Sequence, residues 1–206
     1  MEKCDIFARI MDYQTLLKQQ LSRQHIDYVA QIIGDNKNEF AQLMHIVIHG
    51  KEPVVQRAAW VMDVCLEKHP KLLEPYIETL IEALSAVVDP DRSETNSFNN
   101  NGVKRQVLKA LASRTIPEKY EGEMVDLCFR WMQASEVPVA IKVHCMQILA
   151  NITERHPDLA EELRAVIIEQ IPRNSAGFSS RGRKILKNKH ICENSSAANA
   201  KNLACD

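Results

Sequence analysis

The sequence predicts an all-α protein, a short right-handed α-solenoid of stacked antiparallel helix pairs. Apolar residues recur at helical spacing through most of the 206 residues, whereas no segment shows convincing strand alternation. The 6 glycines and 8 prolines stand mostly where a helical pattern ends. In addition, the stretch "VVQRAAWVMDVCLEKHP" (54–70) is echoed by "VAIKVHCMQILANITERHP" (139–157), so one helical pattern occurs twice.

The N-terminal segments read as three helices. Alternating charged and apolar residues predict an amphipathic helix over Asp5–Gln20. Ser22 is placed to cap a second helix, since a serine hydroxyl can accept a hydrogen bond from a free backbone N–H of the first turn. Gly34 ends this helix, because glycine tolerates a left-handed C-terminal turn. The third helix starts at Asp35 or Asn36, runs through "FAQLMHIVIH" (40–49) and ends at Gly50.

The first repeated segment predicts a fourth helix, which ends at His69-Pro70 because proline cannot continue a helix. A fifth helix is expected over Leu72–Val88, with Pro75 in its first turn, where proline is tolerated. The stretch Asp89–Gly102 is rich in Asn, Ser and Asp, which favour turns, and it predicts a long polar break.

Helical patterns resume after this break. The predicted helices are Val103–Ser113, Tyr120–Ala134, Val139–Arg155 and Asp158–Ile171. A short basic helix follows over Ser180–Lys189. We therefore expect a helical repeat domain over residues 1–172, a basic C-terminal capping helix over 173–190, and a disordered tail over 191–206, where the composition is small and polar.

Three basic residues mark equivalent places in the repeated patterns. Arg57, Arg105 and Lys142 lie 48 and then 37 residues apart, and the polar break lengthens the first interval. The underlying period is therefore about forty residues, which is typical of paired-helix repeats. One helix pair cannot bury its apolar surface alone, so each pair is expected to cover the next.

The segment Pro53–Ala58, "PVVQRA", recurs in kind as Pro138–Val143, "PVAIKV". These residues resemble the HEAT/armadillo superfamily, and the resemblance covers roughly residues 35 to 172 as degenerate copies. It implies a curved α-solenoid with a concave face that is usually used to bind a partner.

The first candidate site is a polar stripe along this concave face. Positions 56, 60, 63 and 67 share one side of a helix, and similar stripes occur in the later copies. A tryptophan on such a stripe is a candidate binding anchor, although packing between repeat units is an alternative role for it. The predicted partner-binding residues are Trp60, Asp63, Glu67, Arg105, Lys109, Gln147 and Asn151.

The second candidate site is the basic C-terminal segment. It carries an alternative anion-binding set, Arg181, Arg183, Lys184 and Lys187. This set would suit a nucleic-acid-binding protein, and the resemblance adds as an alternative the HEAT-like DNA glycosylases, which remove alkylated bases with an Asp and a Trp. Trp60 and Asp63 are of the right types for that chemistry. The competing interpretation is a capping helix with a polar outer face, which a solenoid needs for solubility.

No motif points to an enzyme or to a cofactor. The chain has no GxSxG elbow and no glycine-rich phosphate loop. His45 and His49 are spaced for one helix face, but no third metal ligand is close in sequence. The net charge of -1 disfavours a globally basic nucleic-acid binder. We therefore predict a non-enzymatic protein that binds a protein partner and no cofactor or metal.

The sequence also predicts a cytoplasmic protein that does not enter the membrane. The N-terminus lacks the apolar region of a secretory signal, and no apolar run approaches the ~20 residues that span a bilayer. Cys65, Cys128 and Cys145 lie inside apolar helical patterns, where free cysteine behaves as a small hydrophobe. The cysteine spacings show no disulfide framework.

Overall fold

The structure is a computed structural model, and it describes residues 12–19, 22–87, 97–188 and 191. All regular structure within these ranges is helical, which confirms the all-α prediction. The α-helices are α1 (Tyr13–Gln19), α2 (Arg23–Ile33), α3 (Lys37–His49), α4 (Val54–Lys68), α5 (Ile77–Ser85), α6 (Asn101–Leu111), α7 (Glu118–Gln133), α8 (Val139–Ile152), α9 (Ala160–Gln170) and α10 (Ala176–Leu186).

The helices pack in two layers. In the first layer α2, α4, α6, α8 and α10 lie side by side in chain order. In the second layer α5, α7 and α9 do the same, while α3 packs against α4. Buried apolar side chains from both layers form one continuous core. Each helix pair thus covers the next, which confirms the predicted α-solenoid.

The caps of the early helices are those that the sequence predicts. The hydroxyl oxygen of Ser22 accepts the backbone N–H of His25 at 3.2 Å. Gly34 ends α2 with a φ of 52°, a backbone conformation that L side chains rarely adopt, and donates its N–H to Ala30. Gly50 likewise ends α3. About half of the predicted first helix lies outside the described residues, and Tyr13–Gln19 is the helical part that the structure shows.

The two repeated segments adopt the same structure. Both α4 and α8 lie in the first layer, but only α4 ends directly before its histidine, His69. α8 ends at Ile152 and a turn over residues 153–155 leads to His156, so the predicted helix Val139–Arg155 is too long at its end. His69 has φ −124° and ψ 65°, and His156 has φ −124° and ψ 76°. The proline that follows each histidine opens a 3-10 segment, Pro70–Tyr76 in one case and Pro157–Leu159 in the other. Proline disfavours the helical conformation in the residue before it, so both histidines lie outside the helical region and neither helix continues through its His-Pro pair.

The predicted helix over Leu72–Val88 is wrong at its start. The chain forms a 3-10 segment over Pro70–Tyr76, and α5 begins only at Ile77. Pro75 lies inside this segment. Because proline has no N–H and its ring clashes with the preceding turn of an α-helix, the α-helical pattern begins only after it.

The last part of the predicted polar break over Asp89–Gly102 is helical, and residues 89–96 lie outside the described residues. Ser97–Asn99 forms a 3-10 turn in which Phe98 is fully buried. The side-chain oxygen of Asn100 accepts two backbone N–H groups of the first turn of α6. This cap starts α6 earlier than the predicted position, Val103. This part of the break therefore contributes a core side chain, Phe98, as well as turn residues.

The last helix is longer at its N-terminus than expected. It begins at Ala176, before the predicted Ser180, and it buries Phe178 and Ile185 completely or almost completely. Ile191 was expected in the disordered tail but is 1% exposed, and its N–H is donated to the carbonyl oxygen of Asn188. An apolar side chain within reach of the core explains this difference. The rest of the predicted tail lies outside the described residues.

Candidate partner-binding face

The seven predicted partner-binding residues lie on three neighbouring helices of the first layer. Trp60, Asp63 and Glu67 are on α4, the two cations are on α6, and the two amides are on α8. Since α4, α6 and α8 pack side by side in that order, the stripes of the three helices adjoin. We call the surface formed by these seven residues the polar face.

An ion-pair cluster joins α4 to α6 on the polar face. The Lys109 Nζ lies 2.7 Å from Asp63 Oδ2 and 3.5 Å from Glu67 Oε1. The Asp63 side chain is only 12% exposed, whereas that of Glu67 is 53% exposed. The buried carboxylate of Asp63 is therefore already committed to Lys109, and Glu67 remains open to solvent.

A chain of hydrogen bonds joins α6, α8 and α10. Asn151 Nδ2 donates to the carbonyl oxygen of Ala112, at the C-terminal end of α6, at 2.8 Å. The Gln147 amide donates to the side-chain oxygen of Asn151, also at 2.8 Å. Arg181 Nη1 then donates to Gln147 Oε1 at 3.0 Å. The two predicted amides are thus held in fixed positions, and Arg181 extends the polar face onto α10.

Trp60 and Arg105 are the members of the face that have the least commitment elsewhere. Trp60 is half-buried: one part of its ring packs against the hydrophobic core, and the other part is exposed to solvent. Arg105 is exposed and makes no hydrogen bond or ion pair with any residue that the structure describes. Both side chains have surface available for contact with another molecule.

His144 lies among the cations of this face. It sits half-buried on α8, between α6 and α10. Burial lowers the pKa of His144 to about 4, and the positive charges of Lys109, Arg181 and Arg105 contribute in the same direction. The imidazole is therefore neutral at pH 7, and the surface around it is locally positive.

The alternative anion-binding set is divided between two surfaces. Arg181 bonds to Gln147 of α8, as described above. Arg183, Lys184 and Lys187 are exposed on another side of α10, where they line a surface depression of about 470 Å³ together with Ser179 and other residues. None of these three cations pairs with a residue in the described ranges. The structure therefore gives Arg181 a different setting from the other three.

The histidine pair of α3 and the three cysteines that the sequence singles out are not part of either candidate site. His45 and His49 are exposed, with ring centroids 4.8 Å apart. Among the described residues, no group of three or more His, Cys, Asp or Glu side chains is placed to hold a metal ion. Cys65, Cys128 and Cys145 are free and buried, as predicted for small apolar side chains. No helix in the described ranges has the length and apolar character that a membrane crossing requires.

Comparison with known protein families identifies a repeat family that this chain matches. The sequence profile of a family described as a HEAT repeat domain matches residues 13–189. This range includes α1 and α10, both of which lie outside the 35–172 segment in which the resemblance is visible by inspection. No curated protein sequence and no solved structure matches the chain.

Proposed function

Because this chain belongs to the HEAT repeat domain family, we propose that it is a non-enzymatic scaffold that binds a protein partner through its polar face. The observation that carries the proposal is the alignment of seven polar and aromatic side chains on three stacked helices. Stacked repeats are suited to this task, since they present an extended and rigid surface.

The hydrogen bonds of the face support binding because they order it in advance. Lys109 is held by Asp63, and Asn151 is held by the end of α6. Immobilising a flexible side chain on association costs about 0.5–1.5 kcal/mol. Side chains that are already fixed avoid most of this cost, so a partner gains more of the free energy of each contact.

Within this proposal Trp60 is the anchor. Binding energy at protein interfaces is concentrated in a few residues, and Trp and Arg are over-represented among them. Trp60 presents part of its ring at the surface, and Arg105 on the next helix is exposed and uncommitted. Asp63, Glu67, Lys109, Gln147 and Asn151 then set the polarity around the anchor.

We further infer that α10 caps the solenoid and that residues 1–172 constitute the repeat domain. α10 packs against α8 through buried Phe178 and Ile185, while Arg183, Lys184 and Lys187 remain exposed. A terminal helix of this kind covers the apolar end of the stack and presents a polar outer face to water. A cytoplasmic location remains part of the proposal, and the buried reduced cysteines support it.

Replacing the anchor tests the proposal. We expect Trp60→Ala to weaken binding of a partner recovered with the tagged full chain by about tenfold or more. The half-buried ring also packs on the core, so the variant should stay folded with a melting temperature lowered by less than that of a core-cavity variant. Titration of the purified partner measures the affinity, and thermal unfolding measures the stability. Tyr120→Ala is the matched control, since Tyr120 is an aromatic residue of the second layer. A Trp60→Ala protein that melts as a core-cavity variant does, or one that retains full affinity, rejects Trp60 as the anchor.

Nucleic-acid binding is the second candidate function. The observation in its favour is the exposure of Arg183, Lys184 and Lys187, which carry no partner in the described ranges. A base-excision mechanism would in addition need an available carboxylate beside Trp60. The carboxylate of Asp63 is instead bonded to Lys109, which favours simple phosphate contact over catalysis.

A further inference from the structure

The helices of the first layer that follow α4 contain cations and no acidic residue. α6 carries Lys104, Arg105 and Lys109. α8 carries Lys142 and the neutral His144, and α10 has three basic residues. Neither Asp nor Glu occurs within any of the three helices. The near-zero net charge of the chain therefore conceals a basic side.

The second layer has the opposite charge. α5 carries Glu78 and Glu82 and no basic residue. In α7 and α9 the acidic residues outnumber the basic ones. Because the two layers lie on opposite sides of the core, the molecule is polarised across its thickness from the fifth helix onward. A field of this kind steers charged partners to one side and keeps like-charged surfaces away.

The exposed cations of the first layer converge on α8. Arg105 and Lys109 approach it from α6, and Arg181 approaches it from α10, where its bond to Gln147 holds it in place. His144 lies within the electrostatic range of all three. Lys109 is balanced by Asp63 on its α4 side, so the unbalanced positive charge is centred on Arg105 and Arg181.

We propose that the segment of the partner that docks over α6, α8 and α10 is an acidic peptide, with carboxylates placed on Arg105 and Arg181. This inference rests on the proposed function, and it specifies the chemistry of the partner. Arginine binds carboxylates with two parallel hydrogen bonds, so two such contacts on α6 and α10, one on each side of α8, define the line along which the peptide lies.

The edges of the face favour a peptide over a nucleic acid. A nucleic-acid strand carries a negative charge at every nucleotide and gains affinity by contacting many cations in a row. A strand that continued from α6 onto α4 would meet the exposed carboxylate of Glu67 and the bonded carboxylate of Asp63. A peptide carries acidic residues only where they are needed, so it can cross the same edge with neutral or basic residues.

Charge reversal on the full chain tests this inference. The probe is a fluorescein-labelled peptide of 20 glutamates, with a glutamine peptide of equal length and a short duplex DNA as comparison ligands. We expect the glutamate peptide to bind at low salt and the glutamine peptide not to bind. Arg105→Glu and Arg181→Glu should each weaken the binding by about tenfold, and added salt should weaken it further, since exposed charges are screened.

Matched controls come from the second layer. Arg130 of α7 is exposed and has no ion-pair partner in the described ranges, so Arg130→Glu makes the same charge change on the opposite side. We expect it to leave peptide binding unchanged. Arg105 has no ion-pair partner either, so the fold of Arg105→Glu should be intact, and circular dichroism checks this. Equal losses in Arg105→Glu and Arg130→Glu, or no binding of the glutamate peptide, overturn the inference.

The DNA arm separates the two classes of partner. Tighter binding of the duplex than of the glutamate peptide at equal ionic strength, lost on Arg105→Glu, overturns the acidic-peptide inference and supports a nucleic-acid partner. Failure here is distinguishable from failure of the scaffold proposal. Loss of the captured partner in Trp60→Ala without any glutamate-peptide binding leaves the scaffold standing. Conversely, if the glutamate peptide binds but Trp60→Ala retains full affinity for the captured partner, the basic surface stands and Trp60 as the anchor of the scaffold is rejected.

Discussion

At the scale of single residues, the polar face shows how packing changes the chemistry of a side chain. Asp63 and Glu67 lie on the same helix face, yet the first is largely buried against Lys109 and the second is open. His144 is surrounded by cations and partly withdrawn from water, so it carries no charge at neutral pH. Residues of one stripe therefore divide into structural contacts and free contacts.

The titration of His144 is a direct measure of this environment. Its pKa should be about 4, far below the ordinary 6.5, because burial and three nearby cations disfavour the charged ring. Lys109→Gln should raise this pKa but leave it below 6.5, since burial is the larger cause. Nuclear magnetic resonance of the ring protons over a pH series measures it, with Arg130→Gln as the unaffected control. A His144 that titrates near 6.5 contradicts the structure.

At the scale of helices, glycines differ in whether a neighbouring helix packs directly against them. Gly182 of α10 faces the second layer, and a Cβ added there would lie 2.9 Å from Ile167 Cγ2. Gly122 of α7 has no atom within 4 Å of the same added carbon. Both are glycines inside helices, where glycine costs about 1 kcal/mol relative to alanine. Their substitutions should nevertheless differ in sign.

Alanine at the two glycines gives a matched prediction. Gly122→Ala should raise the free energy of unfolding by about 0.5–1 kcal/mol, through the better helix propensity of alanine. Gly182→Ala should lower it by about 1 kcal/mol, since Ile167 is fully buried and has no room to move away. Urea unfolding of the two variants measures both values. A stabilised Gly182→Ala protein would show that α10 packs less closely than described.

At the scale of the whole molecule, the solenoid depends on contacts between successive helix pairs. A buried carboxylate of α7 makes such a contact. Glu121 of α7 has a side chain that is 6% exposed, and it bonds to Arg155 and to His156, just after the end of α8. Burial alone would raise the pKa of Glu121, but the bonds from Arg155 and His156 outweigh it and the pKa is lowered.

The stability of the solenoid should respond to this carboxylate in acid. A group with a lowered folded pKa stabilises the protein fully above its unfolded pKa, here near 4.5, and loses this contribution as the pH falls through the folded value. Glu121→Gln should cost about 2 kcal/mol at pH 7 and much less at pH 3. Denaturant unfolding at both pH values measures the difference, with the exposed Glu123→Gln as control. An equal cost at both pH values contradicts the pairing.

The loss of stability in acid should occur in two steps. Because the pKa of His144 is lowered to about 4, the unfolded chain binds this proton first, and stability falls between about pH 6.5 and pH 4. The Glu121 contribution falls only at lower pH. The two groups therefore affect stability in different pH ranges. Comparing Lys109→Gln with Arg130→Gln reports on the upper range, and comparing Glu121→Gln with Glu123→Gln reports on the lower one.

The sequence by itself determined the helices, most of their ends and the existence of a repeat. These features depend on neighbours along the chain. The Ser22 hydroxyl caps the first turn of α2, Gly34 ends that helix with a positive φ, and both His-Pro pairs hold the histidine outside the helical conformation. The same local logic placed the stripe on α4, because residues three and four apart share a helix face. It misjudged the start of α5, where a 3-10 segment around Pro75 precedes the α-helix.

Only the tertiary structure decided which members of the stripe are committed and which remain free. Lys109 and Asp63 are 46 residues apart in the chain, and Arg181 and Gln147 are 34 apart. Such pairs depend on the register in which one helix stacks on the next, and that register follows from the packing of the whole core. The same stacking gathers the cations of α6 and α10 around His144. No periodicity within a single helix contains that information, because it is a property of the distances between helices.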